Sequence, residues 1–437
     1  MRGLKKSDIP KIYLPGDVFI LAFSSMVWNI GGFISGPFQS IFFYDMGTPV
    51  GYIGLLAAVS SIVMAISLII GGYLADIWGR KRIITTFSFI AAGSSILYFF
   101  VNSWPLLFIP IIIGSLSGIY SPAFNAMLND SMKPRDRPIG FASFTLLTIV
   151  PSLFAPYIGG VLMEHLGSVE GLKIGFLLAG MFGLAAVTWR AMRLDETYKP
   201  KVKKLSFGKF TRGVINENIH ALRFASRNAK ILLAYTATAS MAAGFSTVYI
   251  SVYLMRDSRL ASTQYGLLVG LSALATIFLL LPTVTLIKKL GLKKAAVVSS
   301  IFAPVSMLVF VSANGMNDLI TWSITGGISG ALLSPTIQSM EGNATTKQIR
   351  GRIMGLFILV PLIASAPAQI LSGYLYNISP LLTFIVSIPF YIISIFILSK
   401  VNMHRRSKES GMVVQAGVAT PLPYQEGEGK DIAVRTS

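Results

Sequence analysis

Gly72-Tyr73-Leu74-Ala75-Asp76-Ile77-Trp78-Gly79-Arg80-Lys81-Arg82 fills the short gap between two long apolar runs, and its reading decides the fold. Gly72 lacks a Cβ, so a second helix has room to approach there. Asp76 falls at the water interface, where a carboxylate pairs with cations or with a helix N-terminus. Gly79 supplies the φ > 0 that ends a helix and turns the chain. Arg80, Lys81 and Arg82 pin that turn to the cytoplasmic face of a membrane.

Composition agrees with a membrane setting. Hydrophobic residues make up 53% of the 437-residue chain and charged residues 13%, where a soluble domain has about a quarter charged. The net charge of +19 does not point to nucleic acid, because the cations follow a topological pattern. Twelve predicted helices (17–44, 50–78, 83–101, 105–131, 138–164, 172–193, 230–255, 262–287, 295–312, 317–342, 353–376 and 380–399) are each long enough to cross a bilayer. Between them, 34 of the 37 Lys and Arg residues lie on the side of the N-terminus, and Lys173, Arg256 and Arg259 on the other. The positive-inside rule then predicts both termini in the cytoplasm of a multi-pass plasma-membrane protein. Anionic lipid is the expected contact of the basic face.

The chain divides as 1–193, a basic linker 194–229, 230–400 and a polar tail 401–437 expected to be disordered. Within the linker, Phe207 to Leu222 has the spacing of an interfacial amphipathic helix. The halves echo each other. Gly114, Gly118 and Ser121-Pro122 recur as Gly326, Gly330 and Ser334-Pro335, at offsets of 212 and 213 residues. Pro151, Pro156 and Gly160 are answered by Pro361, Pro367 and Gly373.

The pattern Gly72-x-x-x-Asp76-x-x-Gly79-Arg80-Lys81, placed between helices 2 and 3, resembles the signature loop of the major facilitator superfamily of transporters. The resemblance implies an all-α membrane protein of twelve transmembrane helices in two pseudo-symmetric six-helix bundles. It further implies that Asp76 meets the N-terminus of helix 11 near 351–355. Arg80 would pair with Asp130, latching the cytoplasmic gate. The helix-5 motif of the family's antiporters survives in part, as Pro156, Gly159 and Gly160, with Pro151 and Ala155 at the earlier glycine places. The antiporters' helix-4 arginine place is Gly114, and the signature's second copy has Lys288 where Asp76 maps.

On the helices that line the cavity of that fold, the polar and aromatic candidates for substrate contact are Trp28, Asn29, Gln39, Tyr120, Asn125, Tyr235, Tyr249, Gln338 and Gln369. Each has an alternative role as a hydrogen-bonding bridge between helices. His165, His220 and His404 lie in predicted loops or tails and there is no cysteine, so no metal, cofactor or enzymatic site is expected. No ionisable residue is predicted deep in a span, which favours an uncharged or amphipathic substrate that either runs down its own gradient or is coupled without a buried cavity carboxylate. The expected activity is transport of a small molecule by a monomer through alternating access, as drug or metabolite export. Uptake of a neutral, sugar-like metabolite and a non-transporting receptor on the same fold are the alternatives.

Overall fold

The computed structural model describes residues 14–133, 136–196, 220, 222–345 and 350–402. Twelve long helices carry the described chain. The first half holds α1 (Gly16–Asp45), α2 (Val50–Trp78), α3 (Arg80–Phe100), α4 (Trp104–Asp130), α5 (137–166) and α6 (Ser168–Arg193). The second holds α7 (Arg227–Asp257), α8 (Ser262–Leu290), α9 (Leu292–Val311), α10 (Met316–Ala344), α11 (Arg350–Ile378) and α12 (Pro380–Ser399). Eleven of the twelve contain a stretch long and apolar enough to cross a bilayer. The exception is α10, whose 29 residues include Asp318, Gln338 and Glu341. The amphipathic helix expected within 207–222 and the tail beyond 402 lie almost wholly outside the described residues.

Several helices begin about three residues earlier than their apolar runs suggest. Gly79 ends α2 at φ 86° and ψ 158°, and α3 starts at the next residue. Gly291 repeats the turn at φ 76° and ψ 156° before α9. Arg80, Lys81 and Arg82 are therefore the first turn of a helix rather than a loop. Cations there oppose the helix dipole. The Glu196 carboxylate compensates at α3 by accepting from the Arg80 and Lys81 backbone N–H groups, at 3.1 and 3.0 Å.

The two halves part company where proline enters. In the first, α4 is interrupted by a 3-10 turn at Leu116–Ile119 ahead of Pro122, and α5 by one at Val150–Leu153 around Pro151. In the second, α10 and α11 run unbroken through Pro335, Pro361 and Pro367. A proline forfeits one ladder hydrogen bond, and neighbouring groups decide whether the helix tightens or carries on.

The halves meet along α2–α11 and α5–α8. Call the end bearing Gly79 the basic end and the opposite one the far end. At the far end the approach is backbone to backbone. A Cβ built on Gly373 would sit 2.8 Å from the Gly51 Cα, and one on Gly266 would sit 2.5 Å from the Pro156 carbonyl oxygen. Gly54 faces the Gln369 carbonyl, and Gly160 the Ser262 carbonyl. Toward the basic end, Gly72 and Gly355 have open space where a Cβ would be. Gly72 thus does not provide the close approach expected of it. Its neighbour Gly71 does, against the Ile119 backbone of α4.

Gly54→Val should wedge the far end open, because the new side chain would meet backbone rather than a flexible tip. The check is labelling of a single cysteine at Ser251, a buried residue near this seam, in an otherwise cysteine-free chain. Labelling by an impermeant maleimide from the far side should rise severalfold over the same cysteine with Gly54 intact.

Candidate functional site

A cavity of about 710 Å³ lies between the halves, lined from α1, α2 and α5 on one side and α7, α8, α10 and α11 on the other. A second of about 490 Å³ runs from it into the first half, sharing Gly36, Gln39, Ser40, Ala57, Ser60 and Ser61. Among the described residues, no charged side chain lines either one. Their walls are hydroxyls and rings: Ser40, Ser60, Ser61, Ser152, Ser272, Thr276, Tyr265 and Trp322 in the first, and Ser94, Ser95, Tyr98 and Phe176 in the second.

Five of the sequence candidates reach these spaces or the side cavity beyond. Gln39 lines both cavities, and its side-chain amide donates to the Tyr98 hydroxyl at 3.1 Å. Gln369 lines the first and accepts from the Ser61 hydroxyl of the other half at 3.0 Å. Trp28 and Tyr120 line the second cavity and continue into a third, of about 310 Å³, where Asn29 joins them. The Asn29 amide donates to the Thr148 carbonyl at 2.8 Å.

The other four are placed elsewhere. Asn125 is exposed and stands five residues beyond Tyr120, a rotation of roughly 140° on a regular helix. Gln338 is exposed and donates to Ser334 one turn before it. Tyr235 is buried within the second half, 3.3 Å from the Ser300 hydroxyl of α9. Tyr249 is fully buried in the seam between halves. Its hydroxyl donates to the Val50 carbonyl at 2.6 Å and accepts from the Gly54 N–H at 3.0 Å. Those two groups would ordinarily bond each other in the α2 ladder, so a side chain from α7 is spliced into the first turn of α2.

Among the residues assigned to the gate, Arg80 forms an ion pair with Asp130, joining α3 to the end of α4. The Lys81 ammonium lies within electrostatic reach of Asp17, and the Asp76 and Lys288 side chains lie outside the described residues, as does Gly351 beyond its backbone. In the helix-5 motif Pro156, Gly159 and Gly160 are all buried. Gly159 faces the Ile34 carbonyl of α1 while Gly160 and the Pro156 carbonyl meet α8, so consecutive residues serve the inside of one half and the seam.

Sequence patterns missed two ionic features. Asp45 at the end of α1 forms an ion pair with Arg256 at the end of α7, bridging the halves at the far end, with Nε to Oδ1 at 2.9 Å. Ser168 also donates to Asp45. A signal was available, since Arg256 is one of three cations placed against the positive-inside trend. The second is Arg190, which is 3% exposed. The expectation that no ionisable side chain lies inside the bundle fails there. A residue three positions before the end of α6 looks like a loop cation. However, helical side chains lean toward the N-terminus, which here is the interior. Glu341 is also buried, near the basic end of α10, and lines none of the three cavities.

Two bundles enclosing an uncharged space, joined by narrow seams, are the architecture of a membrane transporter. The model of the Major Facilitator Superfamily matches residues 19–255 and 231–423, and the chain belongs to that family. An uncharacterised MFS-type transporter of Methanocaldococcus jannaschii is 26% identical over 202 residues, 44% of this chain and 51% of that protein. A multi-drug resistance efflux pump of Streptococcus pneumoniae is 31% identical over 195 residues, 40% of this chain and 45% of the pump. The chain thus spans about half the length of these curated relatives. Another uncharacterised MFS-type transporter of M. jannaschii is 21% identical over 394 residues, 88% of this chain and 94% of its own. A solved nucleoside transporter superposes with a TM-score of 0.69 at 12% identity, covering 87% of this chain and 98% of its own, which is a likeness of fold.

Asp45→Asn and Arg256→Gln should each loosen the far end, and the double variant should be less than additive. Arg256 is 42% exposed, so the coupling is discounted for solvent to about 0.5–1 kcal/mol. Thermal unfolding of the four proteins in detergent, at low and high salt, measures it. The coupling should shrink as salt rises.

Proposed function

We propose that this chain exports a small amphipathic organic solute across the plasma membrane by alternating access of the central cavity. The observation that carries this reading is the chemistry of that cavity. It is about 710 Å³, formed by both halves, and lined among the described residues by hydroxyls, amides and rings without a charge. Such a surface suits a solute with a sizeable apolar body and a few hydrogen-bonding groups. A sugar would ask for a denser set of paired donors and acceptors. The resemblance to an efflux pump over part of the chain leans the same way.

In this reading the arrangement described above is the state closed at the far end. Asp45–Arg256, Tyr249 on α2 and the Gly51–Gly373 contact hold it. The opposite state would separate these contacts and bring Gly72 and Gly355 together, with Asp76 latching onto the start of α11. Both termini and the 194–229 linker are assigned to the cytoplasm, with anionic lipid against the basic end and the protein acting as a monomer. Among the described residues no carboxylate lines any of the three cavities, which fits coupling that does not pass through a cavity carboxylate.

Two measurements test the proposal. Single cysteines at Ser312 and Ser379 should label from outside the cell, and one at Ser206 or Ser410 should not. Everted vesicles should take up an amphipathic fluorescent dye, and Gln39→Ala combined with Gln369→Ala should cut that uptake severalfold. Wild-type uptake by the double variant would remove the central cavity from the path. Labelling of Ser206 from outside would reverse the orientation.

A further inference from the structure

Arg190 has no carboxylate partner among the described residues. Its guanidinium lies within the first half, on α1, α3 and α4. Nε donates to Ser24 at 2.7 Å, one Nη to Ser25 at 2.9 Å and the other weakly to Ser88 at 3.4 Å, and the Tyr120 hydroxyl of α4 is a further hydrogen-bond partner. Its central carbon sits 5.3 Å from the Phe124 ring and 6.0 Å from that of Trp28. Every one of these partners is neutral. Ser24 and Ser25 stand eight and nine residues into α1, roughly 12–13 Å from its start along the axis.

A cation held in this way is costly. Hydroxyls and ring faces solvate a guanidinium in part, but burial of a charge without a counter-charge is among the most expensive arrangements a protein keeps. Arg193, one turn on, shows the inexpensive alternative: it is exposed and rests on Trp189. Arg190 also faces open space. It lines the third cavity with Trp28, Tyr120, Phe124 and Phe144. Trp28, Met64, Ser117 and Tyr120 continue from there into the second cavity, which opens on the central one. Among the described residues, the only charged one lining the three cavities therefore stands at the end of the series, beside aromatic walls.

We propose that Arg190 is the anion-recognising residue of a subsite in the first half, and that the solute carried is an aryl or amphipathic carboxylate. Its carboxylate would take the counter-ion position at the guanidinium fork, a geometry that Arg matches bidentately. Its apolar body would lie among Trp28, Tyr120, Phe124 and Phe144, pointing toward the second cavity. This rests on the transport reading above and narrows its substrate from amphipathic solutes in general to organic anions.

The test is binding to the purified full-length protein, followed by thermal unfolding, because a ligand of the folded state raises apparent stability. The probes are phenylacetate, phenylbutyrate and naphthoate, each beside its neutral amide, in low-chloride buffer. At least one acid should stabilise the wild type while its amide does not. Arg190→Gln should weaken that acid roughly ten- to a hundredfold, the loss of a charge-assisted contact, and Arg190→Lys should retain part. Should Arg190→Gln not fold, Ser25→Asp supplies a carboxylate from within, raising apparent stability without ligand and abolishing the response to the acid. Equal response to acid and amide, an undiminished response in Arg190→Gln or Ser25→Asp, no response to any acid, or chloride matching the acids would each overturn the proposal. Binding is read without flux, so its failure is distinguishable from a failure of dye export.

Discussion

The far-end seam between the halves is the constraint on which the rest of the structure depends. At Gly51–Gly373, Gly54–Gln369, Gly160–Ser262 and Gly266–Pro156, backbone meets backbone, and the Tyr249 hydroxyl is the one side-chain group pressed against both Gly54 and Gly373. Contacts of this kind are short-ranged and hold two rigid bundles along thin strips instead of a broad interdigitated face. A broad face would fill the space between the halves; thin strips at one end leave it as a cavity. They also favour two discrete arrangements over a continuum, since packed helices pivot more readily than they deform. Polar groups sharpen the choice. Tyr249 closes the α2 ladder from the opposite half, so withdrawing it leaves a backbone carbonyl and N–H to be satisfied again within α2.

Much of the fold was legible because the bilayer makes the code coarse. Helix existence follows from apolar runs, and the turns at Gly79 and Gly291 follow from glycines with basic neighbours. The starts of α3 and α9 were less legible for an electrostatic reason. Cations look like loop residues, yet Arg80 and Lys81 enter the helix because Glu196, over a hundred residues later, receives their N–H groups. Nor could the repeat foretell that Pro151 and Pro122 accompany broken helices while Pro335, Pro361 and Pro367 do not. That depends on tertiary partners of the freed carbonyls, which no local window contains.

The candidate site was legible in residue type more than in direction. Gln39, Gln369, Trp28, Asn29 and Tyr120 face cavities, while Tyr235 and Tyr249, equally polar-aromatic and on an equally suitable helix, face neighbouring helices. Which way a helix turns about its own axis is set by packing, and in a uniformly apolar span there is little amphipathic pattern to reveal it. The many serines and threonines of the cavity wall were passed over for a related reason. A hydroxyl in a membrane helix satisfies itself on the preceding turn, as Thr276 does on Ser272, so its presence alone does not mark a site.

Charge placement is where sequence distance from a helix end misleads most. Arg190 and Arg193 are three residues apart, both within the last turn of α6, and the usual expectation for each is snorkelling to the interface. Arg193 has solvent within reach. Arg190 sits on the face turned to α1 and α3, and its stem leans inward, so reaching water would mean crossing its own bundle. The hydroxyls of Ser24, Ser25 and Ser88, brought from two other helices, make that inward position tolerable without neutralising it. A hydrophobic residue of similar size would fill the same place at lower cost. In the proposed subsite, a guanidinium with no carboxylate partner among the described residues would keep that cost until an anion arrives, and part of it would then become selectivity for anions over neutral solutes of the same shape.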